Sequence, residues 1–204
     1  MIALNKLYTG YANDSPLLED FSYQFDDQKI YGILGKSGCG KTTLLRTIAG
    51  LTRPLSGELL MNGSKIGPPG KNGIYMMHQN YSSFNWMTCL ENVLIAKRIK
   101  GNITPQDKEN AMNLLKIVHL DEHMNKYPGQ LSGGMRQRLA LARTMFVNPQ
   151  VILMDEPLSA LDGVTRTEMQ EFILKMHDQT QNTIIMVTHS TEEAEKLCDK
   201  IIQL

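Results

Sequence analysis

An excess of positive or negative charge is missing from this chain: Lys plus Arg and Asp plus Glu both number 21 across 204 residues, for a formal net charge of zero. That balance removes the basic excess expected of a general nucleic-acid binder, so no nucleic-acid partner is expected, although a local basic patch would survive it. Cysteine is scarce as well. Cys39, Cys89 and Cys198 are odd in number and widely spaced, which suits reduced cytosolic thiols better than a disulfide set or a metal site. No run approaches the ~18 apolar residues of a membrane span, and the opening MIALNKLYTGYANDSP lacks the apolar core of a signal peptide. The chain is expected to be soluble by itself, so any work at a membrane needs another subunit to carry the spans. There is no internal repeat or low-complexity segment, and the length fits one sizeable core with room for a subdomain.

What is present is concentrated in a few stretches. Gly35 to Thr42 reads GKSGCGKT directly after the apolar run Ile30 to Leu34, the phosphate-binding pattern of Gly, four residues, Gly, Lys and Ser or Thr. Gly35, Gly38 and Gly40 lack a Cβ, so the backbone is expected to curl through positive φ and turn its N–H groups inward as an anion nest. Lys36, Ser37 and Cys39 fill the intervening positions, with Cys39 read as a small spacer. Lys41 supplies a point charge for β- and γ-phosphates, Thr42 a hydroxyl for Mg²⁺, and Thr43 continues a helix whose positive dipole end faces the same place.

Two further constellations complement it. Val151 to Met154 is a continuous apolar strand ending in Asp155 and Glu156, and strand ends of a parallel sheet line the ligand crevice. Asp155 is placed to hold Mg²⁺ through its water shell and Glu156 to accept a proton from an attacking water. Leu131, Ser132, Gly133, Gly134 and Met135 put a glycine pair behind a Ser N-cap, leaving the N–H groups of a helix start open as a second anion site. Each has a plain structural alternative, an acidic turn in the first case and a capped helix in the second.

Hydrophobic periodicity supplies the frame. Residues 2 to 8 and 21 to 34 read as two or three strands, a helix runs from about Lys41 to Ala49, and Ser56 to Gly63 reads as a strand and turn. Gly73 to His78 forms a strand that delivers Gln79. From about Tyr81 to Val147 the period turns helical, with candidates at 89–99, 105–118 and 132–146. After Val151 to Met154, a helix at about 164–179, a strand at 183–187, a helix at 191–197 and a last strand at 200–204 finish the chain. No extension or regulatory domain is expected beyond it.

These residues, taken together and in order, resemble the nucleotide-binding subunits of ATP-binding cassette (ABC) transporters over nearly all of the chain. The resemblance implies an α/β P-loop NTPase fold of the ABC ATPase type, with a mostly parallel core sheet, an N-terminal antiparallel β part and a helical subdomain insert. It implies one domain over 1–204, with core and β subdomain at 1–80 and 148–204 and the helical subdomain at 81–147. ATP and Mg²⁺ are the implied ligands. In the family's pattern Gly35 to Thr42 is the phosphate loop, Gln79 the loop glutamine that coordinates Mg²⁺, Leu131 to Met135 the signature, Asp155 the magnesium aspartate and Glu156 the catalytic glutamate. Ser159 to Asp162 matches the dimer-contact loop, His189 the switch histidine, and Tyr11 the aromatic that stacks on adenine, with Tyr8 close by as a competing aromatic.

Asn85 to Val93 looks like the proline-tryptophan-leucine-threonine segment of the nitrate, sulfonate and taurine importer group, with Asn85 where proline is usual. Tyr81, Phe84, Trp86 and Met87 either line a groove for a helix of a membrane subunit or pack the helical insert. The implied partners are a second nucleotide-binding subunit, a transmembrane permease and an external solute-binding protein, with the chain at the cytoplasmic face of the membrane. Two other readings stay open: a soluble cassette ATPase in translation or DNA repair, and a regulatory module that binds ATP without hydrolysing it.

Overall fold

A computed structural model describes residues 1–10, 16–70, 72–78 and 83–204. It contains strands β1 (Ile2–Thr9), β2 (Leu18–Phe25) and β3 (Ile30–Leu34), helix α1 (Lys41–Ile48), and strands β4 (Ser56–Met61), β5 (Ser64–Lys65) and β6 (Ile74–Met77). Helices α2 (Cys89–Lys100), α3 (Pro105–Ile117) and α4 (Gly133–Val147) follow. The chain closes with β7 (Val151–Asp155), α5 (Gly163–Thr180), β8 (Thr183–Val187), α6 (Thr191–Leu197) and β9 (Lys200–Gln203). No helix among the described residues is long and apolar enough to cross a membrane. All three cysteines are free.

The contacts divide the chain into two units. One comprises residues 1–76, 149–156 and 181–204, the other residues 77–148 and 157–180. In the first unit, β2, β1, β4 and β5 make an antiparallel sheet, and a second sheet has the order β6-β7-β8-β3-β9, with β7–β8, β8–β3 and β3–β9 parallel. β3, β7 and β8 are buried at every residue, which is why they read as continuous apolar runs rather than alternating ones. Ile152 pairs with Ile184 and Ile184 with Ile30, so the three strands end level at their carboxyl ends. Gly35, Glu156 and Thr188 therefore leave the sheet along the same edge.

α1 lies between the two sheets. Leu44, Leu45 and Ile48 are fully buried against Ile2, Leu4, Leu7 and Phe25 from one side and Tyr31, Ile33, Leu153 and Ile185 from the other. Each such side chain contributes about 1.5–3 kcal/mol on burial, and this packing fixes the start of α1 against the strand ends. Gly50, at φ +73, turns the chain away one residue after the helix C-cap.

The second unit is helical. Thr88 and Thr104 begin α2 and α3 with reciprocal capping boxes to Glu91 and Asp107, and Pro105 takes the first position of α3. α2, α3 and α4 pack against one another through Cys89, Val93, Ala111, Leu115, Leu139 and Ala142, all fully buried.

Candidate active site

The phosphate-loop stretch folds onto itself. Lys41 is 8% exposed, and its ammonium donates to the carbonyl oxygens of Gly35 at 2.7 Å and Lys36 at 2.9 Å. The cation is thereby held at the loop's mouth before any ligand arrives. Cys39 N–H donates to the Lys36 carbonyl at 3.3 Å, closing the turn. Gly38 and Gly40 sit at φ +82 and +99, as expected of residues that turn N–H groups inward. Gly35 departs from that expectation, because its φ is not positive. What requires glycine there is space: an added Cβ would lie 2.8 Å from Cys39 Sγ and 2.9 Å from the Leu204 carbonyl oxygen.

The start of α1 is left open. Its N-cap, Gly40, offers no side-chain hydrogen bond to the first turn, whereas Thr88, Thr104, Ser132 and Ser190 cap α2, α3, α4 and α6 with side-chain oxygens. Unpaired first-turn N–H groups carrying the positive helix end are suited to an anion with several oxygens. Lys36, Ser37 and Thr42 are exposed on the loop, while Thr43 turns inward, where its carbonyl accepts from the Thr47 hydroxyl at 2.8 Å.

Asp155, at the end of β7, is 2% exposed and accepts from the Thr42 hydroxyl at 3.1 Å. A hydroxyl and a carboxylate joined beside a phosphate nest are hard oxygen donors of the kind Mg²⁺ takes, so the residues present fit that ion. Glu156 follows at φ +50, a left-handed conformation that non-glycine residues seldom adopt, and its N–H donates to the Val187 carbonyl at 3.0 Å. This turn carries its carboxylate to His189, whose Nδ1 is 3.6 Å from Glu156 Oε1. The His189 side chain is 67% exposed and that of Glu156 25%, so the pair faces solvent. The structure thus brings Lys41, Thr42, Asp155, Glu156 and His189 to one edge of the parallel sheet. Tyr11 and Gln79 lie outside the described residues.

In the other unit, Ser132 caps α4 by accepting from Met135 N–H at 3.2 Å. Ser132 and Gly133 are exposed, and nothing lies within 4 Å of a Cβ built on Gly133. Gly134 is less open than the glycine pair suggested: a Cβ there would be 3.3 Å from the Ala160 carbonyl oxygen and from Leu161 Cδ2. Gln137 explains that closeness. Its side chain is buried, and Oε1 accepts from Ala160 N–H at 3.0 Å, tying the start of α4 to the stretch Ser159 to Asp162.

Sequence reasoning missed Gln137, whose only signal was a polar residue one turn into a helix whose following face is apolar. It also missed the role of Asn92, fully buried between Cys89 and Val93 on the inner stripe of α2. Asn92 accepts from Phe84 N–H at 2.8 Å and donates to the carbonyls of Phe84, Met87 and Thr88 at 3.1, 3.0 and 2.9 Å. It holds the turn that presents Trp86, 73% exposed, with Phe84 packed at 5.5 Å between ring centroids.

Comparison with known proteins agrees with this geometry. Residues 18–159 match the family model for the ABC transporter. The chain is 46% identical over 188 residues to the taurine import ATP-binding protein TauB of Roseobacter denitrificans, covering 91% of this chain and 69% of that one. It is 39% identical over 202 residues to the ABC transporter ATP-binding protein MJ0412 of Methanocaldococcus jannaschii, covering 98% and 75%. Among solved structures, the dimeric post-hydrolysis state of the ATP-binding cassette MJ0796 bound to ADP and Pi is similar at a TM-score of 0.89 and 28% identity, over 100% of this chain and 94% of that one. With a family model matched across more than half its length and a nucleotide loop built as described, the chain belongs to the ABC transporter family.

Proposed function

We propose that this chain is the ATP-hydrolysing subunit of an importer, working as a dimer beneath a separate membrane permease. The observation that carries the reading is Lys41, a buried ammonium held by the Gly35 and Lys36 carbonyls beside an uncapped helix start. ATP lies with its β- and γ-phosphates in the nest of Gly35 to Thr42, touching Lys36, Ser37, Gly38, Cys39, Gly40 and Thr43, and with adenine on Tyr11. Thr42, Asp155 and Gln79 would hold Mg²⁺, which would supply positive charge beside the β- and γ-phosphates.

Glu156 and His189 orient a water for in-line attack on the γ-phosphorus. Glu156 takes the water's proton, a new P–O bond forms, and the bond to the β-phosphate oxygen breaks to leave ADP. Lys41 offsets charge on the phosphates. Ser132, Gly133 and Gly134, on the helical subdomain at 81–147, add N–H and hydroxyl donors to the nucleotide of the second subunit. The residues 1–80 and 148–204 serve as the nucleotide-binding core.

The permease contact falls on the Phe84 and Trp86 turn, an exposed aromatic on a rigid support. The relatives named for taurine import and for sulfate/thiosulfate import favour a small solute of the sulfonate, sulfate or nitrate type, delivered by an external binding protein. The chain then sits at the cytoplasmic face of the membrane.

The decisive variant is Glu156→Gln. It should bind ATP as the parent chain does, release no phosphate, and accumulate as an ATP-bound dimer in light scattering. Parent-level phosphate release by this variant would remove Glu156 as the base. Recovery of a membrane subunit with the affinity-purified chain identifies the permease, and recovery of a ribosome or repair complex without one would sink the transporter reading.

A further inference from the structure

β8 ends at Val187, and Thr188, His189 and Ser190 make the turn into α6. Thr188 and Glu193 are 1% and 7% exposed, while His189 between the turn's two ends faces solvent. The Thr188 hydroxyl donates to Glu193 Oε2 at 2.5 Å and accepts from Ser190 N–H at 3.1 Å. Glu193 N–H in turn donates to Ser190 Oγ at 3.2 Å, and Thr188 N–H donates to the Ile33 carbonyl at 3.3 Å.

Ser190 is the N-cap of α6 and Glu193 stands three residues on, the positions of a capping box. In such a box the glutamate reaches back to the N–H of the cap residue. Here the Thr188 hydroxyl stands between them: Ser190 N–H gives its hydrogen bond to Thr188, and Thr188 passes its own proton donor to the Glu193 carboxylate. The box is lengthened so that it encloses His189. The helix bearing Glu193 is pressed against β3 at Gly32, where an added Cβ would lie 2.8 Å from Cys198 Sγ and 3.3 Å from Ala194 Cβ. A carboxylate is a costly way to fill a buried position, since an apolar side chain of similar volume would pack there without desolvating a charge.

We infer that Glu193 is a positioning residue for the hydrolytic site, holding the turn 188–190 so that the His189 imidazole stays beside Glu156. This rests on the proposal that Glu156 and His189 orient the attacking water. Glu193→Met keeps the volume and the fold but loses the acceptor for Thr188, whereas Glu193→Gln keeps an oxygen that still accepts from it.

The experiment measures steady-state phosphate release and, separately, the imidazole nitrogen resonances of His189 in ¹⁵N-histidine-labelled chain. In Glu193→Met, kcat should fall roughly ten- to a hundredfold with KM for ATP within about twofold, and the His189 resonances should move. Glu193→Gln should retain most of the parent kcat. Combined with His189→Ala, Glu193→Met should add no further loss, because both act through the same imidazole. Additive losses in the double variant, or unmoved His189 resonances in Glu193→Met, would overturn the inference while leaving the role of His189 intact. Parent-level turnover by His189→Ala alone would remove the role of His189 and the inference with it.

Discussion

At the start of α1 the loop wraps its own cation, with Lys41 bonded to Gly35 and Lys36 carbonyls and no side-chain cap on the first turn. The start of α4 has no lysine and is capped, Ser132 accepting from Met135 N–H. It is also exposed, with Gly133 in open space and Gly134 seated on the Ala160 carbonyl. Both are helix N-termini with glycine at the approach, so both present N–H groups and a positive dipole end. The difference lies in what surrounds them. The first gathers a held cation, positive-φ glycines and an uncapped helix start on one stretch of chain. The second lacks a fixed countercharge and has its positioning built in behind it, through Gln137 to Ala160. A site of that kind is compatible with a ligand already held elsewhere, in keeping with the cross-subunit role that the family resemblance implies for it.

The contrast breaks most sharply at Lys41. Lys41→Ala should remove the held cation and lower turnover by roughly a hundred- to a thousandfold, with ATP binding lost in equilibrium measurements on the isolated chain. Gly133→Ala should do the reverse. Its Cβ meets nothing within 4 Å, so stability in urea should hold or rise by up to ~0.5 kcal/mol and ATP binding by the isolated chain should be unchanged. Turnover alone should fall, roughly tenfold, as the methyl crowds the exposed N–H groups. If Gly133→Ala weakened ATP binding in dilute monomer, the two helix starts would belong to one intrachain site.

Much of this was legible in the sequence because it is local. The expected helices at 105–118 and 191–197, read from their periodicity, appear as Pro105–Ile117 and Thr191–Leu197, and the structure adds the Thr104 and Ser190 caps that start them. The apolar runs of β7 and β8 announced buried parallel strands, and β3, read only as an apolar run, joins them. The region 21–34 was harder. It divides into β2 and β3 around Asp26 to Lys29, and β2 begins earlier, at Leu18, where Leu17 N–H bonds the Thr9 carbonyl at 2.7 Å. That start is set by pairing with β1, which no short window contains. The Asn62–Gly63 turn, at φ +52 and +77, carries the strand-and-turn reading on into the short β5. Among site residues, the phosphate-loop pattern Gly35 to Thr42 could be recognised from its spacing. Gln137 could not, since its partner Ala160 is distant in sequence. Gly35 was expected to take positive φ and does not; the crowding by Leu204 that requires a glycine there is a tertiary fact.

The smallest effect tests how helix starts are finished where no anion is needed. Asp162 precedes α5, and its carboxylate accepts from Thr165 N–H at 3.0 Å and the Thr165 hydroxyl at 2.9 Å, while its carbonyl accepts from Arg166 N–H at 2.8 Å. The two Thr165 donors hold the Asp162 carboxyl below its ordinary value of 3.8, the N–H contributing most and the hydroxyl next. A depressed folded-state pKa favours the folded chain above the unfolded-state value and ceases to do so as pH falls through the folded one. The carboxyl carbon resonance of Asp162 should therefore titrate at lower pH than that of an unfolded Asp. Thr165→Ala, which removes the hydroxyl but keeps the N–H, should raise that midpoint part of the way back. An unchanged midpoint in Thr165→Ala would mean that the Asp162 carboxylate is held by backbone N–H donors alone, leaving the Thr165 hydroxyl no part in it. That would make the start of α5 the equivalent of α4, where the Ser132 oxygen likewise accepts from a backbone N–H three residues on, and unlike α1, whose first turn has no side-chain cap.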